Sequence, residues 1–201
     1  PGFAHNVVAL AFSKDGKMIA TGGNDGSFRL WETVSGKELK SVRGAFGVVY
    51  SIAFSPDGKL LATGTSDMQI HLWDLATAQR RSSLAGHTGA VRSLAFSPSA
   101  SLMASGSSDG TIRLWDLEAG LEHLSLSGHK GDVNTIAFTG DGHSLISGGA
   151  DGTLRVWDVG TGNERYPLSG HKGPVWSVAL SPDGTVLVSG GRDRAVKLQP
   201  V

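Results

Sequence analysis

Cysteine is absent from the 201 residues, which excludes disulfides, thiolate metal sites and cysteine nucleophiles. Net charge is absent as well, since 18 Lys and Arg face 18 Asp and Glu. A dedicated nucleic-acid binder normally carries a basic surplus, and so does a protein drawn to anionic membranes. Neither nucleic acid nor membrane is therefore an expected partner. The longest apolar run, Val7 to Phe12, falls far short of the ~18 residues that cross a bilayer as a helix. No window sustains a helical period. The chain starts at Pro1 with neither an initiator methionine nor a basic-then-apolar leader, which predicts a fragment or a processed piece. Charged residues are sparse at 18%, against roughly 25% in average domains. Glycine is abundant: 29 residues, about twice the usual share. Without collagen's triplet, that excess predicts many tight turns. The apolar share of 39% is enough to bury a core and excludes disorder throughout.

Internal repetition dominates the chain. Trp31, Trp73, Trp115 and Trp157 are each separated by 42 residues, and the next step lands on Gln199. Gly86-His87, Gly128-His129 and Gly170-His171 keep the same step; upstream the pair becomes Gly44-Ala45 and Gly2-Phe3. An aspartate column is complete at Asp25, Asp67, Asp109, Asp151 and Asp193. So is a glycine column at Gly22, Gly64, Gly106, Gly148 and Gly190, each preceded by a hydroxyl: Thr21, Thr63, Ser105, Ser147 and Ser189. The step never slips.

Each unit reads as short strands between turns. Val91 to Phe96 suits a strand packed on both faces. Ser97-Pro98-Ser99-Ala100 is a turn; its counterpart Ser55-Pro56-Asp57-Gly58 has Pro to preset one dihedral and Gly for the positive-φ position. A strand at 101–105 follows, then a tight turn at Ser108-Asp109-Gly110. Strands at 111–116 and from Glu122 to Leu126 complete an antiparallel four-stranded meander, and no helices are expected.

These marks closely resemble the WD40 repeat family: a Gly-His pair, an Asp in the turn between second and third strands, and a closing Trp-Asp. They stand as Gly86-His87, Asp109 and Trp115-Asp116, and again as Gly128-His129, Asp151 and Trp157-Asp158. The resemblance covers essentially the whole chain. It implies an all-β fold of β-propeller blades, each a four-stranded antiparallel sheet around a channel, in a single domain or domain segment spanning 1–201. The units run approximately 1–42, 43–84, 85–126, 127–168 and 169–201. The resemblance also implies a buried chain of hydrogen bonds, from Asp to His to Ser/Thr to the Trp indole. Here that chain would be Asp109, His87, Ser105 and Trp115, then Asp151, His129, Ser147 and Trp157. The first two units depart by lacking Gly-His, the first closes with Trp31-Glu32, and the fifth ends in Gln199-Pro200. That weakens the fifth blade's bonding.

The family most often builds seven blades, or about 294 residues at this period. Three readings follow: a segment of a larger ring, an unusual closed five-bladed ring, or completion by another copy of the chain through the open edge of the last blade.

His87, Ser105 and Asp109 have the composition of a hydrolytic triad. A triad is needed once, whereas this set recurs as His129, Ser147, Asp151 and as His171, Ser189, Asp193. No Gly-x-Ser-x-Gly turn accompanies it, so the set reads as scaffold and the chain as non-enzymatic. His5, His71, His123 and His143 share no metal-ligand spacing. His71 stands in the column of Arg29, Arg113, Arg155 and Lys197, so it reads as a strand residue. No phosphate-cradling Gly-x-x-x-x-Gly-Lys is present, and no metal or cofactor is expected.

Recognition should lie where the units disagree. Three columns vary. One precedes the first-strand Val: Asn6, Val48, Ala90, Asp132, Pro174. One follows it: Val8, Tyr50, Arg92, Asn134, Trp176. One precedes the turn Asp: Asn24, Ser66, Ser108, Ala150, Arg192. The resemblance places all three on the top face near the channel mouth. Tyr50, Arg92, Asp132, Asn134, Trp176 and Arg192 are the candidate partner-binding residues, since Tyr, Trp and Arg dominate binding hot spots. A second reading has Tyr50 and Trp176 packing between blades. The expected function is a scaffold for protein–protein interaction that binds a peptide or a protein surface. The alternative is a regulatory or targeting module of a larger signalling enzyme, such as a bacterial kinase or protease, with catalysis elsewhere. A cytoplasmic location goes with either.

Overall fold

The structure, a computed structural model, describes residues 6–43 and 47–201. Gly2-Phe3, His5 and Gly44-Ala45 lie outside the described residues. Nineteen strands and no helix are found among those described. Blade 1 comprises β1 (Val7–Phe12), β2 (Met18–Gly23), β3 (Ser27–Glu32) and β4 (Glu38–Arg43). Blade 2 comprises β5 (Val49–Phe54), β6 (Leu60–Thr65), β7 (Gln69–Asp74) and β8 (Arg80–Ala85). Blade 3 has β9 (Val91–Phe96), β10 (Leu102–Ser107), β11 (Thr111–Asp116) and β12 (Leu121–Ser127). Blade 4 has β13 (Val133–Phe138), β14 (Ser144–Gly149), β15 (Leu154–Asp158) and β16 (Glu164–Leu168). Blade 5 stops at three strands: β17 (Val175–Leu180), β18 (Val186–Gly191) and β19 (Val196–Pro200). All pairings are antiparallel between sequence neighbours. The second strand of blade 3 runs Leu102–Ser107 rather than over the expected 101–105, because its ladder with β9 continues to Ser107.

Local chemistry closes the turns. In blade 2 the Ser55 hydroxyl donates to Asp57 at 2.6 Å and accepts the Leu60 amide at 2.9 Å, while Asp57 accepts the Lys59 amide at 3.1 Å. Gly58 takes the positive φ, 70°, that this turn requires. Where the fourth position is Ala100, φ is still 60°.

Blades stack face to face, and one contact type recurs. Ala20, Phe28 and Leu30 of blade 1 pack on Ile52, Leu61 and Trp73 of blade 2. The same positions join blades 2 and 3 (Ala62, Ile70, Leu72 against Leu94, Met103, Trp115) and blades 3 and 4 (Ala104, Ile112, Leu114 against Ile136, Leu145, Trp157). Blades 4 and 5 join through Ile146, Leu154 and Val156 against Val175 and Leu187. Each fully buried side chain of this size stabilises by about 1.5–3 kcal/mol. The glycine column exists to let the blades approach. A Cβ on Gly22, Gly64, Gly106 or Gly148 would meet the following blade's Val γ-carbon at 2.5, 2.7, 2.7 or 2.6 Å.

Two faces have no counterpart. Leu10 is 66% exposed, whereas its equivalents Ile52, Leu94 and Ile136 are 6%, 8% and 6% exposed. Val196 and Leu198 are each 69% exposed, although Leu72, Leu114 and Val156 in the same column as Leu198 are at 4% or less. Among the described residues the inner strands pack in the series β1, β5, β9, β13, β17. The apolar surfaces that a closed five-bladed ring would bury face solvent in this structure.

Candidate functional site

His87 lies between β8 of blade 2 and β9 of blade 3, and there it reaches the Asp-bearing turn between β10 and β11. Its Nδ1 is 2.8 Å from Asp109 Oδ2 and its Nε2 is 2.7 Å from Ser105 Oγ. The Trp115 indole N–H donates to the same Ser105 oxygen at 2.8 Å. Asp109 also accepts the amides of Thr88 at 3.0 Å and Thr111 at 2.8 Å, and the Thr111 hydroxyl at 2.6 Å. In blade 4, His129 repeats the pattern with Asp151 at 3.2 Å and Ser147 at 2.7 Å, and Trp157 donates to Ser147 at 2.8 Å. One assignment satisfies every atom: Nδ1–H donates to Asp, Nε2 accepts the Ser hydroxyl, and Ser Oγ accepts the indole N–H.

The connectivity Asp–His–Ser is that of a hydrolytic triad. Burial disqualifies it here. Ser105 and Ser147 are fully buried, and their oxygens already hold an indole N–H, so no substrate carbonyl can reach them. The two nitrogens of His87 and of His129 are likewise committed to Asp and Ser, which leaves no lone pair for a metal ion.

The charges follow from this packing. Burial pushes His87 and His129 below their ordinary value and outweighs the pull of Asp109 and Asp151, so both stay neutral. Burial works to raise Asp109, but the Thr111 hydroxyl, the Thr88 and Thr111 amides and His87 together hold it at about 2. Asp151 is held at about 2 against the same burial by the Lys130 and Thr153 amides, the Thr153 hydroxyl and His129.

Blades 2 and 5 solve the same problem differently. His71, which the sequence reads only as a strand residue, sits on β7 almost fully buried. Its Nε2 is 3.1 Å from Asp67 and its Nδ1 is 2.8 Å from Ser83 Oγ. A histidine from the third strand thus serves the turn aspartate in the unit whose sequence has Gly44-Ala45 in place of Gly-His. The signal was in the sequence as a paired change. Arg29, Arg113 and Arg155 each pair with Glu38, Glu122 and Glu164, but blade 2 has His71 and Arg80 in those columns. In blade 5, His171 still bridges Asp193 at 2.8 Å and Ser189 at 2.9 Å. Gln199 stands in the Trp column, and its amide instead clamps the backbone of Ser169, accepting from N at 2.9 Å and donating to O at 3.1 Å.

The three variable columns come together on one edge of the blades. The residue before the turn Asp donates its amide to the carbonyl of the residue before the first-strand Val in all five blades, from Asn24 to Asn6 at 3.1 Å through Arg192 to Pro174 at 2.8 Å. The column after that Val sits at a β-bulge. The register skips Val8, Tyr50, Arg92, Asn134 and Trp176 while their neighbours pair. A bulge re-aims the side chain it carries, so the variable residues turn out of the ladder. They then interlock across blades. The Arg92 guanidinium lies 4.4 Å from the Tyr50 ring centroid, its Nε donates to Ser108 Oγ at 2.9 Å, and its Nη2 is 3.3 Å from Asp132. Asn134 donates to the Val175 carbonyl at 2.8 Å. Tyr50 therefore does pack between blades, under Arg92, and stays half-buried. Trp176 is 57% exposed, in the one blade with no successor to cover it, and Arg192 is also exposed.

Comparison with known proteins follows the same period. The family described as "WD domain, G-beta repeat" matches residues 2–32, 36–74, 78–116, 121–158 and 162–198. The later matches begin in or just before the last strand of one blade and end in the third strand of the next, so the sequence unit is offset from the blade. A periodic tryptophan protein 2 homolog of Mus musculus is 51% identical over 35 residues, 17% of this chain and 4% of that protein. The corresponding homolog of Dictyostelium discoideum is 49% identical over 35 residues, 17% of this chain and 4% of that protein. A WD repeat-containing protein of Nostoc is 49% identical over 39 residues, 19% of this chain and 3% of that protein. The chain thus matches only a few per cent of the length of these relatives.

Proposed function

The chain belongs to the WD40 repeat family, and on that footing we propose that it is a non-enzymatic scaffold whose bulge edge binds a peptide or a protein surface. WD40 repeats generally mediate protein–protein interaction, and the propellers of the family are generally non-catalytic. The observation that carries the finer reading is a coincidence: one of the columns that vary between units, the residue after the first-strand Val, is the one that the bulges turn out of the ladder, beside the other two variable columns. Tyr50, Arg92, Ser108 and Asp132 form a connected patch over three consecutive blades. Its side chains are held before any partner arrives, so little ordering entropy opposes binding. Asn134, Trp176 and Arg192 extend the edge toward blade 5. The patch offers a cation, an anion and an aromatic ring together, which suits a peptide carrying polar groups of both kinds. A segment of a larger ring, a cytoplasmic location and a place in signalling belong to the same proposal.

The test is selection of displayed random peptides on the purified chain, followed by affinity measurement on variants. Arg92→Ala should weaken selected peptides at least about tenfold, equivalent to ~1.4 kcal/mol, with the melting temperature little changed. Peptides that bind Arg92→Ala and Tyr50→Ala as tightly as the parent would move the site elsewhere.

A further inference from the structure

We infer that the groove between β4 of blade 1 and the β7–β8 turn of blade 2 is a second docking site, for an extended acidic segment of a partner protein. The groove has a volume of about 580 Å³, a size typical of ligand clefts. Residues 40–43 of β4 line it together with Trp73 and residues 77–80, which lead from that turn into β8. Neighbouring residues of a strand point to opposite faces, so a groove lined by four consecutive residues follows the strand's edge. Among the described strands β4 is the last of its sheet, and that edge pairs with none of them. An extended peptide can therefore add alongside β4 through its main chain while its side chains reach the charges of the groove. None of Tyr50, Arg92 and Asp132 lines it, so the inference does not depend on the bulge edge.

Charge selects the occupant. Lys40, Arg43 and Arg80 give the groove three cations, and no carboxylate is among the described residues that line it. One and two periods further on, the same three columns read Ser82, Ala85 and Glu122, then Leu124, Ser127 and Glu164. Counted over these columns, the charge is +3 between blades 1 and 2 but −1 at each of the next two junctions. Two nearby carboxylates are already committed: Glu38 to Arg29 at 3.1 Å, and Asp74 to the amide and the hydroxyl of Thr77, each at 2.8 Å. Lys40 spans the junction. Its ammonium donates to the carbonyls of Leu75, at 3.2 Å, and Ala76. That ties the two sides of the groove together and uses two of the three lysine donors. Arg43 and Arg80 are exposed, so a carboxylate reaches them without disturbing packed side chains. A nucleic-acid site needs a longer basic stripe, whereas three cations in one groove of a neutral chain suit a short acidic run.

The experiment is fluorescence polarisation with labelled hexaglutamate on the full 201-residue chain in about 50 mM salt, where screening is weak. Hexaglutamate should bind, hexaglutamine at least about tenfold more weakly, and the difference should shrink as salt rises. Arg80→Glu installs the residue found at Glu122 and Glu164. It should leave the melting curve little changed and weaken hexaglutamate at least about tenfold. Arg92→Ala should bind hexaglutamate like the parent, which separates this groove from the bulge edge. Methylating the main-chain nitrogens of the peptide should cost at least about fivefold, because a methylated nitrogen cannot donate to β4. No binding of hexaglutamate up to about 1 mM, a threshold of roughly 4 kcal/mol, would overturn the inference. So would undiminished binding to Arg80→Glu. A hexathymidylate that binds more tightly than hexaglutamate, and is lost with Arg80→Glu, would overturn it in favour of nucleic acid.

Discussion

Asp109→Ala probes the claim that the recurring polar residues are structural. The side chain accepts four hydrogen bonds, from the Thr88 amide, the Thr111 amide, the Thr111 hydroxyl and His87. The Thr88 amide and Thr111 hydroxyl can turn to water once the carboxylate is gone. His87 cannot, because its side chain is 1% exposed, and the part-buried Thr111 amide is poorly placed to do so. Bonds to a charged acceptor contribute about 1.5–3 kcal/mol each, and an orphaned buried donor costs about 1–3 kcal/mol. Allowing for overlap, the loss should be about 3–4 kcal/mol, a large share of the 5–15 kcal/mol typical of a folded domain. At this chain length that corresponds to a melting temperature lower by roughly 10 °C. Urea unfolding followed by circular dichroism measures it. His87→Ala in the same background should cost less than it does alone, since its partner is already missing. A cost for Asp109→Ala below about 0.5 kcal/mol would refute the reasoning, because it would mean that the network is decoration.

Gly106→Ala places a Cβ 2.7 Å from Val133 Cγ1 and should destabilise by about 1–3 kcal/mol through overpacking, read from the same urea curves. Met68 occupies the turn at φ 68°, where blades 1, 3 and 4 have glycine, and is 44% exposed. Met68→Gly should therefore stabilise by about 0.5–1 kcal/mol, the relief of left-handed strain less the entropy glycine adds to the unfolded chain. Stability should also fall on acidification in two stages. His87 and His129 are held below 6.5, so their contribution is complete above about pH 6.5 and erodes below it. Asp109 and Asp151 are held at about 2 against 3.8, so theirs, about 2 kcal/mol each, is complete above about pH 4 and is lost as pH falls through about 2. Melting temperatures from pH 8 to pH 2 that stay flat would contradict both assignments.

The period of 42 residues determined most of what the sequence could determine by itself. Turn residues such as Ser55, Asp57 and Gly58 act over a few positions, so strands, turns and the Asp–His–Ser–Trp set of blades 3 and 4 were legible from spacing. Other features lay between elements and carried no local mark. A bulge at Tyr50 or Arg92 is a slip of register between two strands, which no residue type announces. The stacking of Arg92 on Tyr50 joins residues 42 apart, on different blades. His71 changed role because it reaches Asp67 only when β7 folds back beside the turn. The open faces were decided last of all. Leu10 and Leu198 belong to columns that are buried in other blades, and only the stacking of the sheets shows that no blade lies over these two, since burial is a property of neighbours rather than of residues.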